Sequence, residues 1–327
     1  MMRVLFMGSS DASVQVLRGL LKSPLLKIVG VVTQPDRPSG RKQQLTPCAC
    51  KAFALEQKLH PLICPEKIND PAVIDQIRTL KPDVIVVVAF GQFLGKTLLK
   101  LPPRGCLNGH FSLLPQYRGA SPVQTAIAAG EKETGVTIMQ MDLGMDDGDI
   151  LLQAIEPIYS DDTFGSLMDR LSILCAVVMV KALRLMINSK LSRTPQNHTE
   201  ASYARKFEKH DGLINWNLTS AEIDRHLRAY DPWPGSFTFM PANLTKKGST
   251  GRLKIIEALI LKGADIPQHC DCDPGTVCSF APMGPIVVTG DGALCLTVLQ
   301  PEGSRAMDAH SFLNGHKLKI GDRFGVC

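Results

Sequence analysis

Residues Val84-Ile85-Val86-Val87-Val88, reached from Lys81-Pro82-Asp83, form an uninterrupted apolar run and not an alternating one. A strand with no polar face has to be covered on both sides, the condition of a central strand in a parallel sheet with helices on its two faces. Residues 3–7 and 28–33 are runs of the same kind, each followed by a turn or a helix-compatible segment. The first part of the chain therefore reads as α/β, a Rossmann-like, mostly parallel sheet with crossover helices. Gly135 to Met141 alternates and adds a strand, which ends in the acidic, glycine-rich loop Asp142 to Asp149. From Thr163, placed as a cap, Leu167, Leu171, Leu174, Cys175, Val178, Ala182 and Leu185 keep helical spacing to about Ile187 and close a catalytic domain expected over 1–188.

Residues 189–207 lose periodicity and gain Ser, Thr, Pro, Gln and Asn, the composition of a linker. A second domain is expected over 208–327. Thr219 and Glu222 form a capping-box pattern that opens a helix to about Ala229, stopped by Pro232-Trp233-Pro234-Gly235. The strand-like runs 252–260, 285–289 and 294–299 follow, separated by turns such as Gly290-Asp291-Gly292, which is the pattern of a small OB-like β-barrel.

With 327 residues, 44% hydrophobic and 20% charged, the chain can bury a large core, and disorder is excluded for most of it. A net charge of +5 permits a polyanionic partner without demanding one, and residues 201–327 hold 14 Lys+Arg against 13 Asp+Glu. The N-terminus carries one positive charge and a short apolar run ending at Gly8, too little for a secretory signal. The longest later run, Leu171 to Val180, is bounded by Asp169-Arg170 and Lys181, short of the roughly 20 residues a membrane span needs. Ten irregularly placed cysteines then imply reduced thiols and a cytoplasmic location. His269-Cys270-Asp271-Cys272 with Cys278 lacks the paired Cys-x-x-Cys spacing of a zinc site, so no metal is expected. After Gly8, Ser9-Ser10-Asp11-Ala12-Ser13 lacks the second and third glycines that admit a pyrophosphate, which disfavours a dinucleotide cofactor.

Open sheets bind ligands beyond the carboxyl ends of their strands, where Phe90-Gly91-Gln92 and Asn108-Gly109-His110 fall. Asn108 and His110 stand at i and i+2, so both side chains leave one face of a strand end. An amide and an imidazolium so placed can donate to an oxygen that becomes negative, and such preorganised donors are worth roughly 2.7–4 kcal/mol each. Asp146 can orient the imidazole from the acidic loop. Taken singly, His110 is also readable as a structural histidine and Asp146 as a turn residue. Pro115 and Gly119 make the segment Ser112 to Gly119 an abrupt turn, read as a site loop. There is no Gly-x-Ser-x-Gly elbow and no cysteine adjoining His110 in sequence, which favours direct transfer without a covalent enzyme intermediate.

Asn108-Gly109-His110, Ser112-Leu113-Leu114-Pro115, Arg118-Gly119 and Asp142-x-Gly144-x-Asp146-x-Gly148-Asp149 resemble the folate-dependent formyltransferases, and among them those acting on methionyl-tRNA. Support is spread along the chain, in Thr33-Gln34-Pro35-Asp36-Arg37-Pro38, Asp231-Pro232-Trp233-Pro234-Gly235 and Leu299-Gln300-Pro301-Glu302-Gly303. The resemblance implies 10-formyltetrahydrofolate as donor and the α-amino group of methionine on initiator tRNA as acceptor, for translation initiation. It implies Asn108 and protonated His110 holding the oxyanion, and Asp146 keeping His110 charged. It further implies a folate cleft lined by Phe90, Gly91, Gln92, Leu94, Ser112, Leu113, Leu114 and Pro115. Arg37, Arg41 and Lys42 would meet the tRNA acceptor stem and the barrel would bind tRNA, with no obligate protein partner and no membrane association.

The chain departs from the family pattern at Gly109, Phe111, Gln116 and in Ser9–Ser13; glycine at 109 would loosen a strand end and Phe111 would narrow the crevice. Two rival readings use the same residues. One is a formyltransferase for a small amine, such as a nucleotide-linked aminosugar or glycinamide ribonucleotide, for which residues 208–327 are more domain than the acceptor needs. The other is a non-catalytic RNA-binding protein, for which the barrel segment has few stacking aromatics, Phe237, Phe239 and Phe280 among them.

Overall fold

In the computed structural model, which describes residues 1–39, 44–241, 244–245, 250–262 and 272–325, the run Val84–Val88 is buried throughout and lies inside a seven-stranded sheet. In chain order the elements are β1 (Met2–Gly8), α1 (Asp11–Leu21), β2 (Leu26–Val32), β3 (Arg37–Ser39), β4 (Gln44–Thr46) and α2 (Ala49–Glu56). There follow β5 (Leu62–Ile63), α3 (Pro71–Thr79), β6 (Val84–Val88), α4 (Lys96–Leu99), β7 (Cys106–His110) and β8 (Arg118–Gly119). Next come α5 (Pro122–Ala129), β9 (Glu133–Gln140), β10 (Ile150–Pro157), α6 (Phe164–Ile187) and β11 (Tyr203–Ala204). Two compact units result: Met1–Pro122 with Lys132–Ile158 and Ser166–Arg205, and Val123–Glu131 with Tyr159–Gly165 and Lys206–Cys327.

The sheet of the first unit runs β10-β9-β7-β6-β1-β2-β5. The strands β5, β2, β1, β6 and β7 are parallel; β9 and β10 are antiparallel to their neighbours. Register pairs Phe6 with Val86 and Val86 with Leu107, so the apolar run is central, as its composition demanded. The chain builds outward to β2 and β5 on one side of β1 and to β6 and β7 on the other, which opens a crevice at the carboxyl ends of β1 and β6.

Local sequence explains how β1 passes into α1. Ser10 caps the helix in a capping box with Ser13. Ser13 is buried and its Oγ donates to Val88 O at 2.6 Å, so a side chain fills the turn that a dinucleotide site keeps clear with glycine. The helix expected after Thr163 is α6, its 24 residues burying Leu167, Leu171, Cys175, Val178 and Ala182. Among the described residues no helix is long and apolar enough to cross a membrane.

Of residues 189–207, expected as linker, those up to Arg205 belong to the first unit. Thr194 bridges Ile150, and β11 pairs in parallel with β8 through Tyr203–Arg118 and Ala204–Gly119. The stretch lacks periodicity because it pairs by backbone and by polar side chains and presents no apolar face.

In the second unit the capping box of Thr219 and Glu222 starts α7 (Ser220–Tyr230) as its sequence indicates. The later elements are β12 (Phe237–Phe239), β13 (Arg252–Ile260), β14 (Val277–Ala281), β15 (Gly284–Val288), β16 (Ala293–Pro301), β17 (Met307–Asp308) and α8 (Ala309–Gly315). Their antiparallel order is β12-β13-β16-β15-β14, with β17 on β16. The two edges are joined by the C-terminal residues, Gly325 bridging Phe239 and Arg323 bridging Thr276, which closes a small barrel. Trp216, Leu253, Ile255, Val277, Leu294, Phe312 and Phe324 fill it. Among the described residues seven cysteines are free thiols, whereas Cys278 is disulfide-bonded, a departure from the reduced state expected throughout. His269, Cys270 and Asp271 lie outside the described residues, among which no group of three or more His, Cys, Asp or Glu could hold a metal ion.

Candidate active site

The carboxyl ends of β6 and β7 deliver the polar residues. Past β6, Ala89 takes a positive φ of 43°, and Phe90 O accepts from Ser9 Oγ at 3.0 Å and from Gln34 Nε2 at 3.1 Å. Gln92 is pinned by Ile68 N, which donates to its Oε1 at 2.7 Å, and by its own donation to Pro65 O at 3.1 Å. On β7, alternation sends Asn108 and His110 to one face and position 109 to the other. A Cβ at Gly109 would stand 2.6 Å from Cys175 Sγ of α6. Glycine therefore does not loosen this strand end; it makes room for a buried thiol.

His110 is buried, and its Nε2 lies 2.9 Å from Tyr117 O. A carbonyl oxygen only accepts, so Nε2 carries a proton and Nδ1 is left facing Asp146 Oδ2 at 3.6 Å. Asn108 Nδ2 donates to Asp146 Oδ1 at 3.4 Å, and Gly119 N donates to Asp146 Oδ2 at 2.8 Å. One carboxylate thus gathers the amide, the imidazole and a backbone N–H. Tyr117 and Asp146 adopt φ of 58° and 50°, a conformation rare without glycine and common where a site dictates the backbone.

These groups border a cavity of about 460 Å³ whose apolar walls include Phe90, Leu94, Phe111, Met139 and Met141. Of the residues the resemblance assigns to the folate cleft, Phe90, Gly91, Gln92 and Leu94 line it; Ser112, Leu113, Leu114 and Pro115 do not. Ser112 is buried and its Oγ donates to Gln116 O at 2.6 Å, while Leu114 N donates to Thr137 Oγ1 at 3.1 Å and Leu114 O accepts from Gln153 Nε2 at 2.9 Å. The segment is a braced turn that brings Tyr117 O back to His110. Phe111 is buried at the cavity wall, and Gln116 is exposed.

Burial pushes the thiols of Cys106 and Cys175 up to about 12, so neither is a thiolate nucleophile at neutral pH. Arg37 is exposed and its Nη2 pairs with Glu66 Oε2 at 2.7 Å; Arg41 and Lys42 lie outside the described residues. Sequence reasoning placed Tyr117 and Gly119 in a site loop without their roles. It missed the lining residues Met139 and Met141, which read as ordinary strand residues. It also missed Gln196, whose Nε2 donates to Asp146 O at 2.9 Å; a lone glutamine in an aperiodic stretch carries no signal of a site.

Comparison with known proteins gives consistent results. Residues 2–183 match the formyl transferase family and residues 206–317 its C-terminal domain. The methionyl-tRNA formyltransferase of Marinobacter nauticus is 42% identical over 316 residues, 97% of either chain. That of Desulforamulus reducens is 39% identical over 326 residues, 99% of this chain and 98% of the relative. Among solved structures, WlaRD, a sugar 3N-formyl transferase, superposes with a TM-score of 0.65 at 21% identity, covering 93% of this chain and 99% of that one. HypX from Aquifex aeolicus in complex with tetrahydrofolic acid superposes with a TM-score of 0.61 at 18% identity, over 95% of this chain and 47% of that one. With its two matched regions and relatives of this identity along nearly its whole length, the chain belongs to the formyl transferase family.

Proposed function

We propose that the protein transfers a formyl group from 10-formyltetrahydrofolate to the α-amino group of methionyl-initiator tRNA, in the cytoplasm, for translation initiation. The observation that carries this reading is the convergence of Asn108, His110 and Asp146 at one cavity, in a chain alike over nearly its whole length to methionyl-tRNA formyltransferases.

The cavity suits the donor. Ligand sites of ~300–1,000 Å³ with apolar walls and few convergent polar groups take drug-sized molecules, and about 460 Å³ walled by Phe90, Leu94 and Met139 accepts a flat ring system. The bound folate supplies an activated formyl carbon on nitrogen. The chain's own residues do the rest. Asn108 Nδ2 and, with the ring doubly protonated, His110 Nδ1 face the same space, placed to donate to the formyl oxygen as it becomes negative. Asp146 keeps the Nδ1 side of the imidazole oriented, takes the proton shed by the attacking amine and passes it to the leaving nitrogen. An aminoacyl α-amine with a pKa near ~7.7–8.0 is partly neutral at physiological pH, so positioning and electrostatics carry most of the rate and a strong base is unnecessary. With Cys106 and Cys175 held as thiols, direct transfer is the route that the nearby side chains favour.

The purified protein supplied with 10-formyltetrahydrofolate should formylate methionyl-initiator tRNA in preference to methionyl-elongator tRNA, glycinamide ribonucleotide and a nucleotide-linked aminosugar offered side by side. Faster turnover of either small amine would replace this reading with the small-acceptor one. No turnover of any acceptor would return the protein to a binding role.

A further inference from the structure

Asp146 is chemically useful only where it sits, yet its loop has little to hold it: Asp142, Leu143, Gly144 and Met145 are exposed, and Asp146 carries a positive φ that typically costs about 1–3 kcal/mol. One buried side chain braces the backbone of the loop on both sides of Asp147. Gln196, 6% exposed, donates from Nε2 to Asp146 O at 2.9 Å and to Gly148 O at 2.7 Å. Its Oε1 accepts from Arg118 Nη2 at 2.7 Å and Nε at 3.1 Å. Both amide hydrogens and the carbonyl are thus engaged, and the reversed amide would set oxygen against two carbonyls and nitrogen against a guanidinium, so the orientation is forced.

Arg118 is 2% exposed and, among the described residues, reaches no carboxylate; its other contact is His198 Nδ1, at 3.3 Å from Nη1 and 3.4 Å from Nη2. A buried guanidinium needs oriented acceptors, and Gln196 Oε1 is the nearest of them. Arg118 also stands between the two backbone groups that hold the site, Tyr117 O, which accepts from His110, and Gly119 N, which donates to Asp146. The segment that carries Gln196 is fixed at both ends, by the Thr194–Ile150 bridge and by β11 on β8, where Arg118 N donates to Ser202 O at 2.8 Å.

We infer that Gln196, anchored by Arg118, is a positioning residue that sets Asp146 against His110 for formyl transfer. The inference rests on the reaction proposed above and adds to it a part supplied by a segment outside the strand ends. A residue needed only for folding would lower stability and leave kcat of the folded enzyme alone; a positioning residue lowers kcat and acts through Asp146.

The test is a kinetic cycle of wild type, Gln196→Leu, Asp146→Asn and the double variant, with 10-formyltetrahydrofolate and methionyl-initiator tRNA. Nitrogen-15 NMR of the His110 ring is recorded for each. Expected are a fall in kcat of roughly tenfold or more for Gln196→Leu with both KM values within about twofold, and a double variant no slower than Asp146→Asn. The His110 ring signals of Gln196→Leu should move in the direction that Asp146→Asn moves them. Gln196→Glu, the same size but with oxygen against both carbonyls, should behave like Gln196→Leu and serves if the latter does not fold. An unchanged kcat, multiplicative losses in the double variant, or failure of both glutamine variants to fold overturns the inference. A wild type inactive on methionyl-initiator tRNA overturns the assigned reaction instead, and the ring signals still report whether Gln196 sets Asp146.

Discussion

Asp146 receives Asn108, Gly119 and the Nδ1 side of His110 on one carboxylate, so no member of the trio is independent of the others. Alanine at Asn108, His110 or Asp146 should each lower kcat by roughly 10²-fold or more, because each removes a preorganised donor or the group that orients one. Circular dichroism should show the folds intact, and near-normal turnover in all three would remove the mechanism. Gly109 belongs to the same strand end but faces the other way. Gly109→Ala should destabilise the protein by about 1–3 kcal/mol through overpacking, since the new methyl meets Cys175 Sγ. Cys175→Ala should restore most of that loss in the double variant, and denaturant unfolding of the four proteins reads the coupling.

At the scale of elements, β7 and the braced turn after it form one device. The strand aims His110, and the turn returns Tyr117 O to the ring, holding a proton on Nε2 and turning Nδ1 toward Asp146. Helix α6 supports the opposite face with Cys175 and Met179. In the second unit, α7 holds its own titratable group. His226 lies between Ser236 Oγ at 2.9 Å and Asp211 O at 3.0 Å, and burial lowers its pKa below the usual 6.5, although the carbonyl of Asp211 works in the other direction. The unfolded chain therefore takes up a proton near 6.5 that the folded helix resists. Stability from this group is fully present above that value and is lost as pH falls through the lower, folded one. The thermal midpoint should drop between about pH 7.5 and about pH 5.5, and less so in His226→Gln, which keeps a donor for Asp211 O. Equal pH dependence in the two proteins would assign the drop to other groups.

At the scale of the whole molecule, residues 206–317 match a family C-terminal domain and fold as a barrel closed by the chain's last described residues. A large anionic acceptor needs positive charge, yet residues 201–327 carry 14 Lys+Arg against 13 Asp+Glu. The source proposed for it is the pair Arg41 and Lys42, which lie outside the described residues. Arg41→Ala with Lys42→Ala should raise KM for tRNA and flatten its dependence on log salt by about 1 to 2 units, with kcat retained, because fewer counterions are released. An unchanged slope would take that pair out of the RNA footprint.

Short-range physics was legible in the chain. The apolar run at β6, the apolar spacing of α6, the capped start of α7, and the i, i+2 pair Asn108 and His110 follow from local pattern, because strand burial, helical periodicity, capping and alternation are decided within a few residues. The braced turn at Ser112–Pro115, the space opposite Gly109 and the segment carrying Gln196 depended on partners 23 to 66 positions away, such as Thr137, Gln153, Cys175 and Asp146. Hydrogen bonds and packing between distant segments exist only once the sheet has brought their carbon and nitrogen atoms within reach, and no periodicity announces them. The sequence by itself thus determined the layers and named the three polar heads; the tertiary structure alone decided that they meet and what surrounds them, because position in space, and not order along the chain, sets each contact.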